Sequence, residues 1–109
     1  MSSYLSAWLW AFAFTQLIEV PVYMRLLACR PVRAFGATAL THPLIWYAFP
    51  HLRLEYVWAV ALVELFAWLG ETLYFVRPYG LRRALWASLL ANAASCALGF
   101  VSRGVLGVP

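Results

Sequence analysis

Residues 54–76 read LEYVWAVALVELFAWLGETLYFV, an apolar stretch interrupted by Glu55 at its start and by Glu64 and Glu71 within it. As a helix it is about 34 Å long, enough to cross the roughly 30 Å hydrocarbon core of a bilayer. It ends at Arg77-Pro78-Tyr79-Gly80, where proline and glycine stop a helix. Working outward, three more apolar runs appear: 4–24, stopped by Arg25; 34–49, short, holding His42-Pro43 and closed by Pro50-His51-Leu52-Arg53; and 84–101. Connections this short force neighbouring helices antiparallel. The expected fold is all-α, a polytopic membrane protein with four transmembrane helices in an up-down-up-down bundle, forming a single domain over 1–109. The second span is expected to be thin or kinked at Pro43.

Composition agrees. Of 109 residues, 65% are hydrophobic and 11% charged, and neither lysine nor aspartate occurs; a soluble domain carries about 25% charged residues. Mean hydropathy is +0.79. These values exclude a soluble enzyme domain, a disordered tail and a nucleic-acid binder working through basic patches. The first run lacks a positive n-region and a small-residue cleavage site, so it is expected to be retained, and no lipidation motif is present. Cys29 and Cys96 form no C-x-x-C pair and read as small buried hydrophobes.

The arginines set the orientation. Arg25, Arg30, Arg33, Arg77, Arg82 and Arg83 fall in 25–33 and 77–83, against Arg53 and Arg103 on the other side. The segments 25–33 and 77–83 are therefore expected in the cytoplasm, with both termini outside, in a bacterial-type inner (plasma) membrane. The aromatics agree, with Tyr4, Trp8, Trp10, Trp46, Tyr47, Tyr56 and Trp58 at the outer side and Tyr23, Tyr74, Tyr79 and Trp86 at the inner. Trp68 falls inside the third span and is no belt residue.

Each run also carries polar residues, and a rotation of about 100° per residue places those of a run on one face. Gln16, Glu19 and Tyr23 share a stripe; Thr38 and His42 lie one turn apart with Thr41 alongside; Glu64 and Glu71 are in register with Trp68 between them; and Ser88, Asn92, Ser95 and Gly99 form a line. Four such stripes imply a shared polar interior. A charged residue at a helix centre costs about 2.5–3.5 kcal/mol, so three glutamates there must be neutralised, paired or hydrated.

Glu64 and Glu71 are the expected ion, proton or substrate ligands. The alternative is an interhelical clamp, protonated or paired with Arg25 or Arg77. Glu19, His42 and Asn92 complete the expected binding site, with Gln16, Tyr23, Thr38, Trp68, Ser88 and Ser95 behind them. Pro21 gives the backbone after Glu19 either a plain kink or an irregular turn lining a cavity. His42 reads as a relay, a metal ligand or a packed side chain hydrogen-bonded to Glu or Asn. Asn92, Ser88 and Ser95 equally suit helix-to-helix hydrogen bonding. Glu55 and His51 read as solvated interfacial residues.

Di-iron chemistry is excluded because neither His42 nor His51 has a glutamate three residues before it, and bis-histidine haem because the two histidines are close in sequence around a proline break. No P-loop, HExxH or G-x-S-x-G motif occurs. Three functions follow as expectations. The first is binding or movement of a proton, cation or small substrate, with self-association supplying walls for the path. The second is an accessory or assembly role beside a partner membrane subunit. The third is an intramembrane metal-binding protein or metalloenzyme, its site built from His42, Glu64, Glu71 and Glu19.

Overall fold

The structure is a computed structural model that describes residues 3–107. It holds α1 (Ser3–Leu27), α2 (Pro31–Ala48), a 3-10 turn (Phe49–His51), α3 (Tyr56–Tyr79) and α4 (Leu81–Leu106). Each helix packs on its neighbours in sequence and α1 closes against α4, so the four form a ring around a common interior. The bundle measures 37 × 25 × 25 Å.

Three helices, α1, α3 and α4, are long and apolar enough to cross a membrane. The remaining helix, α2, has 18 residues, about 27 Å, and carries Arg33, Thr38, Thr41 and His42 among its apolar residues. The outer surfaces suit lipid: Leu17, Val57 and Leu73 are each more than 70% exposed, a cost in water and none in hydrocarbon.

Helix ends depart from the hydrophobic runs. α4 continues to Leu106 where the apolar run suggests 101, and α3 includes Arg77, Pro78 and Tyr79. The reason is that a hydrophobic run reports lipid contact, whereas a helix continues while its backbone bonds continue. Arg25, Arg77, Arg82 and Arg83 accordingly sit in terminal helical turns rather than in loops. Pro21 and Pro43 are accommodated within continuous helices, α1 and α2; an unwound segment at Pro21 is not what forms.

Tight turns hold the arginine-bearing end together. Gly80 alone joins α3 to α4, at φ +87° and ψ 156°, a conformation that only glycine adopts without strain. Pro31 begins α2 with its φ already set for a helix. Around these turns the core is filled: Tyr23, Leu27, Phe75 and Cys29 pack with Ala34, Ala37, Ala84, Ala87 and Ala91. Alanines on α2 and α4 let the backbones approach, and the Tyr23 and Phe75 rings, 4.6 Å between centroids, plug the space. Toward the opposite end the bundle is hollow.

Candidate functional site

The hollow is a cavity of about 580 Å³. Its lining runs from Tyr4, Phe49, Tyr56, Arg103 and Gly107 at the helix ends inward to Glu19, Glu71 and Asn92. Fifteen residues of α1 separate Tyr4 from Glu19, a depth of about 22 Å. Below the glutamates lies the Tyr23–Phe75 plug, so the cavity is closed on the arginine side.

Glu19, His42, Glu64, Glu71 and Asn92 all line this one cavity, with Thr38 and Ser95 beside them. The helical period explains the convergence, because each stripe is the inward face of its helix in the ring. At the floor, Glu71 Oε1 accepts from Tyr23 Oη at 2.5 Å and from Asn92 Nδ2 at 3.2 Å, and Oε2 accepts from Thr41 Oγ1 at 2.7 Å. Glu19 Oε1 accepts from Thr38 Oγ1 at 2.9 Å and Oε2 from Ser95 Oγ at 2.6 Å. Glu19 and Glu71 are each 1% exposed. Every helix contributes to this cluster.

Neutral donors thus occupy the places that Arg25 or Arg77 would take in a clamp. Two arginines bond elsewhere: Arg83 donates to the Leu26 carbonyl at 3.2 Å, and Arg103 Nη1 donates to Tyr56 Oη at 2.6 Å.

Glu64 differs from the other two. It stands in the cavity wall, half-buried, one turn before Trp68, and no hydrogen bond from the described residues reaches its carboxyl. His42 is apart again, its ring packed between Trp8, Phe12 and Trp46 at centroid distances of 6.2, 5.3 and 5.9 Å. It makes no bond to Glu or Asn, and its buried Nε2 has no partner. Among the described residues no three His, Cys, Asp or Glu side chains come close enough to hold a metal ion. His42, Glu64, Glu71 and Glu19 therefore share a cavity without forming a donor set.

The supporting residues divide. Tyr23 caps Glu71 from below, and Ser88 accepts from Asn92 at 3.3 Å while donating to the Trp68 carbonyl at 2.9 Å. Gln16 and Trp68 are not in the cavity wall: Gln16 Nε2 donates to the Phe35 carbonyl at 3.4 Å, and Trp68 Nε1 donates to the Leu85 carbonyl at 3.0 Å in the seam between α3 and α4. Glu55 and His51 are exposed at the helix ends.

Thr41, expected on the α2 stripe alongside Thr38 and His42 but not among the site residues, is a full member of the floor. The mouth is braced by Arg103 on Tyr56 between α4 and α3, and by a Tyr4 hydroxyl bond to the Trp46 carbonyl between α1 and α2. Nothing in a single sequence pairs residues so far apart. Compared with known proteins, the chain matches no family model, no curated sequence and no solved structure.

Proposed function

We propose that the chain is a small integral membrane protein whose interior cavity binds a proton, cation or small substrate and moves it across the bilayer. In this reading all four helices span a bacterial-type inner membrane, with segments 25–33 and 77–83 in the cytoplasm and both termini outside. The cavity then opens outward and the Tyr23–Phe75 plug is the cytoplasmic barrier that must part for passage.

One observation carries the proposal: three carboxyl groups on two helices line a single cavity within the bundle, where intramembrane carboxyls mark ion, proton and substrate routes. The polar stripes bond to each other inside the ring rather than facing outward, which favours a site over an accessory surface. A cavity within one chain also removes the argument that a second copy must supply walls, although self-association or a partner subunit stays compatible with it.

The test is proton and cation flux into liposomes holding wild type, Glu64→Gln or Glu71→Gln, with metal content measured on the same samples. Flux in wild type that falls in both variants is the expected result. Absence of flux under any gradient, with no bound metal, overturns movement by the isolated chain and turns attention to an accessory subunit.

A further inference from the structure

The three glutamates are not equivalent, and their difference narrows what the cavity holds. All four oxygens of Glu19 and Glu71 are occupied by the chain's own donors. That pair is a finished structural unit. Glu64 is the carboxyl left to a ligand: it lines the cavity, is half-buried, and receives no hydrogen bond from the described residues.

An inorganic cation needs several free oxygen or nitrogen ligands in one place; the oxygens of Glu19 and Glu71 are taken by the chain's own donors, and among the described residues no three His, Cys, Asp or Glu side chains come close enough to hold a metal ion. An anion would meet three carboxyls and, in the wall, one cation, Arg103, whose guanidinium is engaged on Tyr56 at the mouth. A proton alone gives no reason for a chamber of about 580 Å³, a size typical of small-molecule pockets. Much of the remaining wall is apolar and aromatic, with Phe14, Trp46, Val60, Val63 and Phe100. Such a wall takes an apolar body, and aromatic faces attract a cation as well.

We infer that the cavity is a site for a monovalent organic cation, an amine or quaternary ammonium on an apolar body, with Glu64 as its counter-ion. Two turns of α3 separate Glu64 from Tyr56, so the body extends to about 12 Å. The inference rests on the binding reading above and names its ligand class.

Calorimetric titration of the full chain in lipid nanodiscs, with empty nanodiscs subtracted, tests it. The probes are benzyltrimethylammonium and its neutral carbon analogue, neopentylbenzene. Wild type is expected to bind the cation about 30-fold more tightly than the analogue, the scale of an ion pair shielded from water. Glu64→Gln is expected to remove that preference and leave the analogue's affinity unchanged, and Glu64→Asp to keep part of it. Helical circular dichroism shows that each variant is folded, and Val63→Trp, which fills the wall without touching a carboxyl, is expected to weaken both probes. Equal affinities in wild type, or a preference that survives Glu64→Gln, overturn the cation assignment while leaving the cavity a binding site. Failure of both probes to bind overturns the organic-cation site, and the flux assay above then decides the binding reading.

Discussion

Tyr23 and Glu71 give the floor of the cavity a measurable sign reversal. Tyr23 is fully buried and its hydroxyl donates to Glu71 Oε1 at 2.5 Å. Replacing Glu71 with leucine strips the acceptors from three donors, of which two have another place to go. Asn92 keeps the Ser88 carbonyl at 2.9 Å and Thr41 keeps the Ala37 carbonyl at 3.4 Å. Tyr23 does less well, since Glu71 is the one acceptor bonded to its hydroxyl among the described residues. A buried hydroxyl without a partner costs about 1–3 kcal/mol, whereas removing both partners is close to neutral. In wild type, Tyr23→Phe is therefore expected to cost about 1–2 kcal/mol, near the upper end for hydrogen bonds between membrane helices. In the Glu71→Leu background the same change is expected to gain about 1 kcal/mol by deleting the orphan. Taking a carboxyl out of the membrane interior acts in the other direction on Glu71→Leu alone, but it is common to both members of that background and cancels in the cycle. Reversible unfolding by sodium dodecyl sulfate in mixed micelles, followed by tryptophan fluorescence and helical circular dichroism, measures all four proteins. A Tyr23→Phe cost that is the same in both backgrounds refutes the reasoning.

Three further outcomes follow from local geometry. Gly36→Ala sets a Cβ 2.5 Å from Tyr74 Oη, which itself donates to the Arg33 carbonyl at 3.0 Å; because the obstacle is the tip of a side chain, the loss is expected to be about 1 kcal/mol, recovered in the Gly36→Ala/Tyr74→Phe double variant by the same unfolding assay. Gly80→Ala forces a side chain into φ +87° and is expected to cost about 1–3 kcal/mol, seen as an earlier unfolding midpoint. Burial pushes the Cys29 thiol up, with Arg33 pulling the other way more weakly. A raised value leaves less thiolate at neutral pH, so maleimide should react with Cys29 more slowly than with free cysteine, and the rate should still climb with pH above about 8.5; a free-cysteine profile contradicts this.

The fold was legible because lipid demands a long apolar run for each span, and the runs at 4–24, 54–76 and 84–101 have helices to match. The second run was harder to bound because α2 begins at Pro31, among polar residues, and its helix is shaped by packing more than by hydropathy. Convergence of Glu19, Glu71, Asn92, Thr38 and Ser95 was also legible, since the period of a helix fixes which residues share a face. Periodicity does not report how far a side chain lies from the axis of the bundle. Trp68 and Gln16 sit on inward-leaning stripes yet bond into helix seams, and His42 shares the cavity but packs in an aromatic niche. The split between Glu64 and the Glu19–Glu71 pair depends on partners from four helices, which no local pattern contains. Likewise the alanines that close one end and the large aromatic residues around the open end were both visible as letters, but their sorting to opposite ends emerges only when antiparallel helices are set side by side.

The most direct test of an outward-opening cavity uses a residue already in its wall. Cys96 lines the cavity, while Cys29 lies buried at the arginine-bearing end. With Cys29 replaced by serine, membrane-impermeant methanethiosulfonates are applied separately to right-side-out and inside-out vesicles. The trimethylammonium reagent is expected to modify Cys96 from the outer side, faster than the sulfonate reagent does, and neither is expected to reach it from the arginine side. An unreactive Cys96 in right-side-out vesicles, or equal modification from both sides, contradicts an outward-opening cavity.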